Sequence, residues 1–166
     1  MNTLTVSSSP HIHSNESVSR IMLDVVLALI PAGVAAAIVF GWRVLLVIGT
    51  AVLFAVATEA LIQKLTKQPV TINDWSAVVT GILLAYNLPP TAPLWLAAIG
   101  SIIAIGLVKQ AFGGLGQNFM NPALAARAIL LAAWPVQMTD WIIPETARLA
   151  GDVTTSATAS ATIADA

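Results

Sequence analysis

IMLDVVLALIPAGVAAAIVFGW, residues 21–42, carries a single charged side chain, Asp24, in an otherwise apolar run. About 20 apolar residues cross the hydrocarbon core of a bilayer, so this stretch is predicted to be a membrane span. Asp24 falls near its start, within reach of water. Pro31 falls mid-span, where neighbouring helices can satisfy the carbonyl it frees. The run is longer than the core of a signal peptide and shows no convincing cleavage site, so it is expected to be retained.

The composition agrees. Of 166 residues, 57% are hydrophobic and 9% charged, against roughly 25% charged in a soluble domain. Such a chain cannot clothe itself in polar residues, and lipid must solvate its outer face. The net charge of −1 offers no basic footprint for nucleic acid. With no cysteine, the chain holds no disulfide, iron–sulfur cluster or thiolate zinc site of its own.

Outward from the first span, residues 1–20 form a polar tail and residues 44–62 a second span with Glu59 close to its end. KLTKQPVTIND, residues 64–74, reads as a loop. Three shorter apolar segments follow. The third begins after Asp74 and stops at Pro89–Pro90, roughly 14 residues and short for a full crossing. The fourth runs from Leu94 to about Val108 and the fifth from Pro122 to Trp134. Consecutive short spans imply irregular backbone at membrane depth, tolerated where it is buried in protein or lines a cavity. The expected fold is an all-α integral membrane protein of about five transmembrane segments, some short or broken, followed by a polar tail. The membrane domain is 21–134, and 135–166 is an extracytoplasmic segment.

With five spans, Arg20, Lys64, Lys67 and Lys109 share one side with the N-terminus, and Arg43 and Arg148 lie opposite. The positive-inside rule then makes the N-terminus cytoplasmic and puts the C-terminal tail outside.

Several stretches are candidates for chemistry. In DWSAVVTG, Asp74 is expected to cap the third helix. Ser76 and Thr80, four apart, share a face. They either line a polar cavity or bond back to their own helix. In KQAFGGLGQNFMNPA, Gly113, Gly114 and Gly116 allow close backbone approach to a ligand or to another helix. Asn121 and Pro122 suit the start of a helix, whose positive end faces that loop. Arg127, inside the fifth segment, is expected to face the bundle interior with a partner, either a carboxylate or a cofactor's polar edge. Asp24 and Glu59 read as solvated or structural rather than ion-conducting. His11 and His13, in the polar tail, make a poor metal site. The tail GDVTTSATASATIADA, residues 151–166, is either a frayed terminus or carries a modified hydroxyl.

SPHI (9–12), IMLDVVLALIPA (21–32), DWSAVVTGILLAYNLPPTAPLW (74–95), KQAFGGLGQNFMNPALAARA (109–128) and WPVQMTDW (134–141) together resemble RnfD, the D subunit of the Rnf ion-translocating oxidoreductase complex. The paralogous B subunit of the sodium-pumping NADH:quinone oxidoreductase has similar motifs but usually a longer segment before its first span. Members of the family are about twice this length, and the resemblance covers their amino-terminal half. It implies a flavin mononucleotide (FMN) joined by a phosphoester to a threonine in a motif resembling Asp-x-x-Ser/Thr-Gly-Ala-Thr, read by a flavin transferase. On this chain the motif falls on Asp152, Thr155, Ser156, Ala157 and Thr158, with Thr158 as the flavin carrier. Ser156 departs from the usual glycine. Thr162 repeats the Ser-Ala-Thr step without the aspartate. The glycine loop (Gly113, Gly114, Gly116), Asn118, Asn121 and Arg127 are candidate cofactor contacts, a second, non-covalent flavin being one such cofactor. The resemblance also implies partner subunits bearing iron–sulfur and flavin centres, and residence in a bacterial or archaeal cytoplasmic membrane. The chain has no nicotinamide-binding fingerprint, so partners would supply both ends of the electron path. Two non-redox readings stand beside this one: half of a permease, and a structural membrane subunit.

Overall fold

A computed structural model describes residues 17–67, 72–114, 116–118 and 120–141, with no strand among them. The order is α1 (Val18–Phe40), α2 (Arg43–Leu65), a 3-10 turn (Ile72–Asp74), α3 (Ser76–Tyr86), α4 (Leu94–Ile102), a π-helix (Ile103–Gln110), α5 (Pro122–Ala133) and the short α6 (Pro135–Thr139). The predicted attachment motif, Arg148, His11 and His13 lie outside the described residues.

The first two helices are long and apolar enough to cross a bilayer. At 1.5 Å per residue, 23 residues reach about 34 Å. Ser17 starts α1 by accepting a hydrogen bond from the Arg20 N–H, and Gly41, at φ 86°, ends it. Pro31 sits inside α1 without ending it. Val18, Leu27, Ile30, Val34 and Ile38 are exposed along its length as an apolar face. Asp24 is exposed on α1.

The third segment is shorter than its sequence suggests. Its helix holds 11 residues, about 16 Å, and closes at Asn87 before the proline pair. The Asn87 side chain donates to the Leu83 carbonyl at 2.7 Å. The chain then turns inside the bundle, where Leu88, Pro89, Pro90 and Ala92 are buried. Ala92 N–H closes the turn on the Pro89 carbonyl at 2.9 Å. This irregular backbone is covered by protein. The fourth segment is longer than expected, because α4 continues without a break as eight residues of π-helix to Gln110.

Side-chain contacts fix which ends meet. At one end, Ser19 Oγ donates to the Asn73 carbonyl at 2.7 Å, joining the starts of α1 and α3. At the other, Arg43 donates to the Thr91 carbonyl at 3.3 Å and Thr91 Oγ1 to the Asp140 carbonyl at 2.6 Å. Trp95 and Trp134 meet there edge to face, 5.4 Å between centroids. The helices therefore alternate in direction. Trp42, Trp95 and Trp141 are exposed at this second end, in the manner of an interfacial aromatic belt.

The core lies between α2, α3, α4 and α5, on Val47, Ala51, Leu84, Leu96, Ala126 and Leu130. Alanine and glycine dominate the crossings, since without a hydrophobic drive in lipid, helices associate by close backbone approach. Gly100 lets α4 meet Leu84 of α3 and Leu130 of α5.

Candidate functional site

At the end opposite Trp42, Trp95 and Trp141, α2, α3 and the π-helix bring polar side chains into the bundle. Glu59, one turn and a half before the end of α2, is 1% exposed. Lys109, in the last turn of the π-helix, is 2% exposed. Its Nζ donates to Glu59 Oε1 at 2.6 Å and to Ser76 Oγ at 2.6 Å. Ser76 Oγ in turn donates to Asp74 Oδ1 at 2.6 Å. Two amides, Gln63 Nε2 at 3.3 Å and Gln110 Nε2 at 3.2 Å, also donate to Glu59 Oε1. Glu59 Oε2 is buried and accepts no hydrogen bond.

Of the two readings of Glu59, solvated or structural, this arrangement supports the structural one. Its nearness to the helix end does not expose it, because the π-helix and α3 pack over it. Lys109, counted above with the loop charges, is buried and paired, so it adds nothing to the free charge of that end. The π-helix explains how it gets there. A π-helix has a wider turn than an α-helix, so the last residues of the run face a different direction than continued α-helix would give them. The Lys109 side chain is thereby turned into the bundle, and its carbonyl accepts from Gly114 N–H five residues on, at 3.0 Å.

Asp74 caps α3 as expected, one residue earlier than a regular N-cap. Its Oδ1 accepts from the Ser76 N–H at 2.9 Å, while Trp75 between them adopts φ 62°. Ser76 and Thr80 do not form a common polar stripe. Ser76 belongs to the buried cluster, and Thr80 Oγ1 donates to its own helix at the Ser76 carbonyl, 2.9 Å away.

The glycine loop follows at the surface. Gly113, Gly114 and Gly116 all have positive φ, which lets the chain leave the π-helix sharply. Asn118, with its amide oriented for hydrogen bonding, donates to the carbonyls of Val108, Lys109 and Gly114 at 3.2–3.3 Å, capping the π-helix from outside. Asn121 accepts from Ala123 and Leu124 N–H at 2.9 and 3.4 Å, with Pro122 as the first helical residue. Both asparagines thus hold helix ends. Beside the loop, Leu107, Ala111, Phe112, Met120, Ala125 and Ile129 line an open apolar cleft of about 440 Å³. Arg127 does not face the interior. It is exposed, and its Nη1 donates to Asn87 Oδ1 at 3.2 Å, next to the buried turn.

Sequence reasoning missed the pairing of Glu59 with Lys109. Glu59 and Gln63, four apart on one helix face, were a partial signal. The partner lies 50 residues away and is invisible to local pattern.

A helical bundle with lipid-facing apolar helices, a half-length helix ended by a buried turn, and a buried charge cluster at one end defines a helical membrane protein. The NQR2, RnfD, RnfE family profile matches residues 5–165, and the chain belongs to this family. It is 59% identical over 136 residues to the D subunit of the Na(+)-translocating ferredoxin:NAD(+) oxidoreductase complex of Acetobacterium woodii, covering 82% of this chain and 43% of that protein. It is 48% identical over 140 residues to the D subunit of the proton-translocating ferredoxin:NAD(+) oxidoreductase complex of Clostridium ljungdahlii, covering 84% of this chain and 42% of that one. The D subunit of the ion-translocating oxidoreductase complex of Escherichia coli O7:K1 is 46% identical over 141 residues, covering 84% and 40%. The chain therefore spans about two fifths of the length of these relatives.

Proposed function

We propose that this chain is the amino-terminal membrane part of a D subunit in an ion-translocating electron-transport complex, relaying electrons through a flavin mononucleotide joined to Thr158. The observation that carries the reading is the 59% identity to the Acetobacterium woodii protein, through most of the chain. The family match, which runs on to residue 165, supports extending it to the tail. A threonine hydroxyl is the group a phosphoester requires, and Asp152, Thr155, Ser156 and Ala157 precede it in the order of the transferase motif, with Ser156 in place of the usual glycine. The bound flavin would supply one- and two-electron chemistry, and the protein would hold it in place. Partner subunits would carry electrons in and out.

In this reading the glycine-loop end faces the cytoplasm. Exposed Arg20, Lys64 and Lys67 lie there against Arg43 at the tryptophan end, which supports that orientation. Five crossings then place Thr158 outside. A second, non-covalent flavin would lie at the glycine loop, against the apolar cleft.

Co-expression with a flavin transferase, followed by in-gel flavin fluorescence under denaturing conditions, tests the attachment. Fluorescence from the native chain that disappears in Thr158→Val is expected. Fluorescence that persists in Thr158→Val, or that is absent from both the native chain and a Ser156→Gly variant in the whole protein, overturns it.

The buried turn after α3 also suits half of a permease. Solute flux through liposomes carrying a flavin-free protein would favour that second reading.

A further inference from the structure

The cluster at the glycine-loop end joins two carboxylates to one ammonium. Glu59 and Asp74 contribute two carboxylates, linked through Ser76 Oγ and the ammonium of Lys109. Among the described residues Lys109 is the charged group bonded to Glu59; Gln63 of α2 and Gln110 of the π-helix add uncharged amides. All three donors crowd onto Oε1, which leaves Oε2 buried and bare. A buried carboxylate oxygen without a partner is costly in a low-dielectric interior. Asp74 is half-buried and Glu59 fully buried, so the cluster descends from the surface into the bundle.

Lys109 belongs to the π-helix. A π-helix is a rare variant of the α-helix and recurs at functional sites. The Lys109 carbonyl, near its end, is fixed by Gly114 and Asn118 from the surface loop. The side chain of Lys109 anchors the π-helix to Glu59, while its backbone anchors the glycine loop.

We propose that Glu59, Ser76 and Asp74 form a site for one small cation, in which Lys109 is a tethered cation that a free one displaces. A proton or an alkali ion arriving at Glu59 Oε2 weakens the hold of Glu59 on the ammonium. The lysine then leaves, and the π-helix and glycine loop loosen together. Occupancy of a buried carboxylate is thereby reported at the surface loop. The inference rests on the ion-translocating reading proposed above.

The test is hydrogen exchange of peptides covering residues 103–118, in the whole protein purified within its complex. Sodium, lithium and choline chlorides are compared at equal ionic strength, each across a pH series. Roughly tenfold faster exchange in this segment is expected when the cation binds. A response to sodium or lithium but not choline identifies an alkali ion. A response to falling pH in choline alone identifies a proton. Glu59→Gln combined with Lys109→Met removes both charges without leaving one buried alone, and it is expected to abolish the response. Identical exchange under all conditions, or a response that survives in the double variant, overturns the proposal. Co-purification of the partner subunits in the same preparation reports separately on membership of the complex.

Discussion

Gly81 of α3 lies directly on the backbone of Val52 in α2: a Cβ at position 81 would stand 2.8 Å from Val52 Cα and 3.1 Å from its nitrogen. Backbone cannot step aside as a side-chain tip can. This tight crossing of the bundle therefore depends on one missing methyl group.

Gly81→Ala is expected to destabilise the protein by about 1–3 kcal/mol through overpacking. Gly49→Ala, on α2, meets nothing within 4 Å. It should be neutral or stabilising by up to ~1 kcal/mol, because alanine is the better helix former. Thermal unfolding of both variants in detergent checks the contrast. Equal midpoints would show that the two helices do not cross where the structure places them.

Breaking the buried pair from one side leaves a charge without compensation. Lys109→Met is expected to cost about 3–5 kcal/mol, and adding Glu59→Gln to it should restore most of the loss. Denaturant titrations followed by tryptophan fluorescence give the coupling. Additive effects of the two substitutions would mean that Glu59 and Lys109 do not meet.

Tyr86 ties α3 to α1. Its hydroxyl donates to the Leu29 carbonyl at 2.6 Å and packs on Gly33. Tyr86→Phe keeps the ring and loses the bond, for an expected ~0.5–1.5 kcal/mol. Because α1 is otherwise lightly buried, the effect should appear locally. Faster hydrogen exchange around Leu29 to Gly33, with the rest of the bundle unchanged, is the anticipated signature.

Asn121→Ala removes the side chain that accepts from two N–H groups at the start of α5. A loss of about 1 kcal/mol is expected, and Asn121→Ser or Asn121→Asp should recover most of it. If all three substitutions behaved alike, position 121 would not be capping the helix.

The sequence by itself determined what depends on local chemistry. The apolar runs set the solvent as lipid, because too few charges exist to meet water. Asn121 before Pro122, and Asp74 before Ser76, announced helix starts, since their side chains satisfy N–H groups within three residues. The short apolar segments implied irregular backbone between them, and the turn at Leu88–Ala92, covered by protein, is such backbone. The quoted motifs identified the family.

Only the tertiary structure decided the rest. Glu59 reads as a span-end carboxylate until the π-helix and α3 cover it, and Lys109 reads as a loop charge until the π-helix turns it inward. Arg127 reads as interior until α5 presents it outward beside Asn87. Such outcomes rest on contacts between residues 40 to 50 positions apart, and on a change of helical pitch that no local pattern encodes. Burial of a charge is a property of what packs over it, and that is settled only when the helices meet.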